Sequence, residues 1–310
     1  MAQIVTLTFN PVIDKSTTVQ ALVPEKKLRC SAPKFEPGGG GINVARAIKK
    51  LGGDALAVYP AGSYTGKFFQ ILMEREGVAS KVVDIKNNTR ENLIVLESKT
   101  NQQFRFGMPG PELAEEEWRQ CLKVIQEIKD LAFIVASGSM TPGLPTDIYA
   151  QLSKITQKKK AKLVVDTSGE PLKEAAKAGV YLLKPNLAEL SSLVGKEEIE
   201  AEMVEDVARE LIENGKCEII MVSMGAAGAV LVTKDEVAHA VPPTVKRRST
   251  VGAGDCMVAG AVLSLSKGWT VKEALQYGVA SGTAATMNPG TELCKLEDVE
   301  KLYKIMRRST

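Results

Sequence analysis

Phe133-Ile134-Val135-Ala136, Leu163-Val164-Val165-Asp166, Tyr181-Leu182-Leu183-Lys184 and Ile219-Ile220-Met221-Val222-Ser223 are short apolar runs spaced along one segment of the chain. Amphipathic helical patterns at 148–156, 171–178 and 203–214 separate them, and another precedes them at 112–129. Runs that are apolar at successive positions suit strands covered on both faces, and a helix between each pair joins such strands in parallel. The expectation is an α/β fold, a mostly parallel sheet with helices on both faces. In such sheets ligands lie beyond the carboxyl ends of the strands. Ser139, Asp166, Asn186, Glu189 and Ser223 fall at that edge.

Downstream, 230–232 and 237–241 read as a hairpin, followed by Ser249-Thr250-Val251-Gly252-Ala253-Gly254-Asp255 and helices at 254–267, 271–287 and 296–306. A glycine turn that opens a helix aims backbone N–H groups and the positive end of the helix dipole at whatever lies in front. Asp255 in the first turn would stand beside a bound phosphate, an arrangement suited to phosphoryl transfer. The same residues also describe an ordinary capped helix start with an acidic first turn.

Upstream, 4–9 is a strand stopped by Asn10-Pro11, and Asp14 lies just past its end. Residues 15–36 alternate in character, carry Lys26, Lys27 and Arg29, and read as an excursion from the sheet. Gly38-Gly39-Gly40-Gly41 precedes apolar positions 44, 45, 48 and 51, so a helix begins behind a backbone that a ligand could approach, or behind a flexible turn. It is not a dinucleotide fingerprint, because Asn43 replaces its last glycine. Residues 55–59 form a second strand. Gly62 to Lys67 fails as a P-loop, since Phe68 stands where a metal-binding hydroxyl belongs. Residues 92–97 and 103–106 form a hairpin with Arg90 and Arg105 at its ends. Residues 1–310 are thus expected to form one α/β domain with a small β lid from about 15–36 and 90–106.

Composition narrows the chemistry. The net charge of +3 carries no nucleic-acid footprint. No apolar run approaches the roughly 20 residues of a membrane span, and the N-terminus does not read as an export leader. Five dispersed cysteines without a C-x-x-C read as thiols of a reducing compartment, so a cytoplasmic location is expected. The single histidine, His239, sits in a strand-like stretch, which excludes His-rich metal clusters and leaves a carboxylate as the expected base.

Asn10-Pro11-Val12-Ile13-Asp14, Pro37 to Ala45, Lys184-Pro185-Asn186-Leu187-Ala188-Glu189 and Thr250 to Asp255 stand in one order along the chain. Together they resemble the ribokinase/PfkB carbohydrate kinase superfamily over essentially the whole chain, and its phosphofructokinase branch most closely. The resemblance implies a ribokinase-like fold, ATP and Mg²⁺ as cofactors, and Asp255 as the base that deprotonates the acceptor hydroxyl. It makes the backbone of Gly252, Ala253 and Gly254 the anion hole. Asp14, Gly39 and Asn43 would bind the sugar, with Ser139 on the same edge. Lys184, Asn186, Ser223, Gly225 and Gly228 would serve ATP, and Glu189 would organise Mg²⁺ largely through water.

The acceptor is expected to carry a phosphate already, because Lys27, Arg29, Arg90 and Arg105 place positive charge on the lid. Fructose 6-phosphate is favoured. Tagatose 6-phosphate and fructose 1-phosphate are the neighbouring substrates, and a non-catalytic sugar-phosphate sensor or a nicotinamide oxidoreductase is disfavoured. The resemblance also implies a homodimer through the β lids, with Lys27 reaching the partner's site, and a second, inhibitory ATP site near Lys27. Two departures bear on a K⁺ site expected from Ser249, Val251, Ala285, Asn288 and Gly290. Ser249 replaces the aspartate common in the superfamily, and Glu292 replaces an expected basic residue.

Overall fold

A computed structural model of the chain describes residues 3–215 and 217–308. Met1 and Ala2, which the reading for an export leader used, lie outside the described residues. β1 (Gln3–Leu7), β2 (Val12–Val19) and β3 (Lys34–Gly38) lead to α1 (Gly40–Lys50). β4 (Ala55–Gly62), α2 (Ser63–Arg75), β5 (Ala79–Ile85), β6 (Arg90–Glu97) and β7 (Gln102–Phe106) follow. Regular alternation then runs through α3 (Glu115–Glu127), β8 (Leu131–Ser137), α4 (Ile148–Lys159), β9 (Lys162–Asp166), α5 (Glu170–Ala178) and β10 (Val180–Leu183). It continues with α6 (Leu187–Leu193), α7 (Val204–Glu213) and β11 (Cys217–Ser223). The chain ends in β12 (Ala229–Thr233), β13 (Val237–Ala240), α8 (Ala253–Ser266), α9 (Val271–Thr286) and α10 (Leu296–Arg308).

Nine strands form the main sheet in the order β13-β12-β11-β10-β9-β8-β1-β4-β5. Every neighbouring pair from β11 to β5 is parallel, and β12 and β13 close one edge antiparallel. Alternate residues of one strand feed two cores. Ile134 of β8 joins the side covered by α3, α4, α5 and α7, whereas Phe133 and Val135 join the side covered by α1, α8, α9 and α10. Burying a Val, Leu or Ile side chain contributes about 1.5–3 kcal/mol, so both faces need their helices.

Four strands form a second sheet in the order β3-β2-β6-β7. The hairpin expected over 90–106 is present as β6 and β7. Residues 15–36 contribute more than an excursion, because β2 pairs in parallel with the whole of β6. This pairing begins at Val12 and Arg90, so the small sheet reaches from the end of β1 outward.

Two elements escape the sequence pattern. β5 is an edge strand whose first three residues are exposed, and it lacks the apolar density of a central strand. α6 is only 7 residues long, too short for a helical period to register. The second strand also runs past Tyr59 through Pro60 to Gly62. Its pairing with β1 ends at Val58, so the missing N–H of Pro60 leaves no gap on that side.

Candidate active site

α8 begins at the expected turn. Gly252 takes φ 73° at its N-cap, a left-handed value that suits glycine, and its carbonyl accepts the first helical bond from Cys256 N at 2.9 Å. Helix geometry leaves the N–H groups of Gly254 and Asp255 without intrahelical acceptors. Asp255 points back to α1, where Asn43 Nδ2 donates to its Oδ2 at 2.9 Å. Burial of the Asp255 carboxyl and the nearby charge of Asp166 push it up to about 7, against the Asn43 hydrogen bond and the charges of Lys184 and Arg46.

Lys184 follows β10 and forms an ion pair with Asp166 at the end of β9, Nζ to Oδ1 3.1 Å. Burial works against the charge on this lysine, but the charge and hydrogen bond of Asp166 outweigh it and hold the ammonium above its ordinary value. A methyl group on Gly254 would sit 3.9 Å from Lys184 Nζ, so this charge lies at the mouth of the turn. Ser223, Gly225 and Gly228 line one cleft of about 460 Å³ together with Ala253, Gly254 and Arg247. Four of the residues expected to serve ATP, Lys184, Ser223, Gly225 and Gly228, therefore lie beside the glycine turn.

Asn186 and Glu189 turn first to each other. Asn186 Oδ1 accepts from Glu189 N and Glu189 Oε2 accepts from Asn186 N, both at 2.8 Å, a capping box at the start of α6. Among the described residues no three His, Cys, Asp or Glu side chains could grip a metal directly. Mg²⁺ commonly keeps several waters and takes one or two carboxylates plus substrate phosphates, and the second oxygen of Glu189 suits that role.

Asp14 lies on β2 opposite Asn92 of β6, and Asn92 Nδ2 donates to its Oδ1 at 3.1 Å. Burial raises the Asp14 carboxyl above its ordinary value, opposed by the Asn92 bond and the charges of Arg105 and Arg90. Arg90 donates to Asn10 O at 3.2 Å and to Met108 O at 3.0 Å, so it is fixed beside this group. Asn10 in turn donates to Ser139 Oγ at 3.1 Å. Lys27 and Arg29 are exposed in the loop between β2 and β3.

The glycines before α1 serve the fold more than an open approach. A Cβ on Gly40 would meet Ser137 Oγ at 2.3 Å, and one on Gly41 would meet Thr8 Oγ1 at 2.5 Å. They let α1 start directly against the ends of β1 and β8. Gly39, at φ 110°, is half-buried, as is Gly40.

The residues read as a cation site also come together. Ser249 Oγ donates to Gly290 O at 2.8 Å and accepts from Val251 N at 3.2 Å, while Asn288 N donates to Ala285 O at 3.2 Å. The donor set is carbonyl and hydroxyl oxygen, which suits a hard monovalent cation. Glu292 is turned away to Lys34 of β3, Oε1 to Nζ 3.4 Å, so its charge is answered by the small sheet. Next to it Thr291 Oγ1 donates to Glu36 of the same strand.

The sequence profile of the pfkB family carbohydrate kinases matches residues 7–298. The chain belongs to this family. Like other pfkB carbohydrate kinases it is an enzyme of phosphoryl transfer. It is 44% identical over 309 residues to the ATP-dependent 6-phosphofructokinase isozyme 2 of Escherichia coli, covering 99% of this chain and 100% of that protein. It is 30% identical over 300 residues to the 1-phosphofructokinase of Borreliella burgdorferi, covering 96% of each. Solved structures of phosphofructokinase-2 from Escherichia coli superpose with TM-scores of 0.96 for the potassium complex and 0.94 for the fructose-6-phosphate complex. These share 44% and 42% identity with this chain and cover 99% of it and all of the solved chain.

Three residues of the site went unread in the sequence. Asn92 holds Asp14, Arg46 holds Asn43, and Glu36 receives both Thr291 and Lys34. Arg46 stands three residues after Asn43, on the same helix face.

Proposed function

We propose that the protein is an ATP-dependent phosphofructokinase that converts fructose 6-phosphate to fructose 1,6-bisphosphate. The observation that supports this most is the position of Asp255, hydrogen-bonded to Asn43 on the sugar side and one residue from Gly254 in the nucleotide cleft. A carboxylate that titrates near neutrality can accept a proton from a hydroxyl and release it afterwards. In this reading Asp255 takes the C1 hydroxyl proton as that oxygen attacks the γ-phosphorus of ATP. The bond from phosphorus to the β–γ bridging oxygen breaks, and ADP leaves. Backbone N–H groups of Gly252, Ala253 and Gly254 hold the charge on the transferring group, and Lys184 adds a cation at the mouth. Mg²⁺, when bound with ATP near Glu189, neutralises phosphate charge.

Asp14, Gly39, Asn43 and Ser139 bind the sugar, and Arg90 and Arg105 receive its phosphate. Asn186, Ser223, Gly225 and Gly228 serve the nucleotide. Ser249, Val251, Ala285, Asn288 and Gly290 hold K⁺. The small sheet acts as a lid on one catalytic domain and joins two chains in a homodimer, with Lys27 contributing to the partner's site. A cytoplasmic location rests on the five dispersed cysteines without a C-x-x-C; no described helix is long and apolar enough to cross a membrane.

The test is kcat/KM for fructose 6-phosphate, tagatose 6-phosphate and fructose 1-phosphate with MgATP. Fructose 6-phosphate should lead by at least about tenfold, which is about 1.4 kcal/mol of discrimination. A lead for fructose 1-phosphate would transfer the protein to the activity named for its 30% identical relative.

A further inference from the structure

Arg46 is the largest fully buried side chain among the described residues, at 2% exposure, and lies on α1 one turn beyond Asn43. A buried guanidinium is costly unless its donors are used. Nη1 donates to Pro37 O at 2.8 Å and to Asn43 Oδ1 at 3.3 Å. Nη2 pairs with Glu76 Oε1 at 3.1 Å and lies 3.6 Å from Glu36 Oε1. One cation thus gathers the backbone that enters the glycine loop, the end of α2, strand β3 of the small sheet and the side chain of Asn43.

The contact with Asn43 has a directional consequence. A guanidinium only donates, so the amide end it faces must be the oxygen. The NH₂ end of Asn43 is then the one turned to Asp255, as the 2.9 Å bond to Oδ2 requires. That bond occupies one carboxylate oxygen and leaves Oδ1 for an acceptor hydroxyl. An amide free to rotate could turn its own oxygen to Asp255, and the carboxylate would lose its donor.

We propose that Arg46 is a positioning residue for phosphoryl transfer, which fixes the Asn43 amide so that Asn43 Nδ2 holds the Asp255 carboxylate in register with the acceptor. This rests on Asp255 being the base. The groups facing Asp255 are Asp166 at the end of β9, Lys184 after β10, and Asn43 and Arg46 on α1. Of these Arg46 supplies positive charge and sets the one hydrogen bond, so its loss leaves Asp166 opposed by Lys184 alone. The carboxyl must then titrate at higher pH.

The experiment compares Arg46→Gln, Arg46→Lys and Glu76→Gln with the parent, using the best ketohexose phosphate and MgATP. The readouts are the pH profile of kcat/KM, thermal melting, and binding of a non-hydrolysable ATP analogue. Arg46→Gln should lose about 100-fold in kcat/KM, the scale of a misplaced reacting group, with its acidic limb moved to higher pH and analogue binding retained. Arg46→Lys should recover part of the limb. Glu76→Gln, which breaks the ion pair at its far end, should lower Tm and leave the limb in place.

A double-mutant cycle with Asn43→Ala separates the mechanisms, because an effect exerted through Asn43 disappears when Asn43 is absent. If Arg46→Gln does not fold, Arg46→Lys carries the cycle. Additive losses, or a limb that Glu76→Gln moves as far as Arg46→Gln does, would overturn the proposal. Asp255→Asn isolates the premise. Near-normal turnover in it removes the base reading and this proposal together, whereas an inactive Asp255→Asn with an additive cycle removes this proposal alone.

Discussion

Asp255 answers two opposed demands. A base must be ionised to act, yet burial and Asp166 hold this carboxyl up at about 7. As kcat/KM follows the free enzyme, it should fall about tenfold per pH unit below pH 7, and a flat profile from pH 5 to 8 would count against the assignment. Stability runs the other way. Between its ordinary value of 3.8 and about 7 the folded chain holds a proton that the unfolded chain has released, so this group costs more stability as pH rises through that window. Asp255→Asn should therefore melt above the parent at pH 8, by a margin that narrows towards pH 5. Its neighbour offers a steric probe. A methyl group on Gly254 meets Lys184 only at 3.9 Å, an ordinary contact, and Gly254 has no left-handed φ. Gly254→Ala should thus fold with Tm unchanged and lose turnover by at least about 100-fold, because the methyl intrudes where a phosphoryl group must meet the backbone. A parallel loss of Tm would mean that the glycine serves packing instead.

α8 and α9 meet almost backbone to backbone. A Cβ on Gly260 would lie 2.4 Å from Ser281 Oγ, one on Gly278 2.9 Å from Met257 O, and one on Gly282 2.9 Å from Ala253 O. The last contact is with the turn that carries Asp255. Gly282→Ala should push α9 away from that turn, cost roughly 1–3 kcal/mol in urea unfolding, and lower kcat by a larger factor than it raises KM for ATP. Retained kcat with lost stability would uncouple the helix contact from the turn. These elements also mark what the sequence could and could not reveal. The central strands were legible because burial on both faces leaves unbroken apolar runs, as in Ile219 to Val222. β5 was not, since one side of it faces solvent. Asp14, Asn43 and Asp255 were legible from local motifs. Asn92 and Arg46 were not, because their roles depend on partners brought close by folding: Asn92 is 78 residues from Asp14, and Arg46 is 30 residues from Glu76. The glycines at 40 and 41 were legible as special, but their reason, the side chains of Ser137 and Thr8, lies elsewhere in the chain.

At the scale of the molecule, the small sheet ends in β7, whose five residues are all exposed. Phe104 and Phe106 lie on this edge strand, with Met108 just beyond it at 47% exposure. An uncovered apolar edge invites a second chain. In the proposed homodimer through the lids, replacing Phe104 and Phe106 with serine should yield monomers in light scattering and raise KM for the sugar phosphate more than for ATP. A dimer of unchanged affinity would place the interface elsewhere. The inner end of the same sheet is tied to the loop between α9 and α10 through Thr291 with Glu36 and Lys34 with Glu292. That tie makes the sheet and the loop one thermodynamic system. In the proposed lid, any solute that bound more tightly to a sheet closed over the sugar phosphate would, by the same factor, tighten the hold on that sugar phosphate. In that reading the loop would set the affinity of the sugar phosphate from a distance, and the two coupling factors measured in either order would agree.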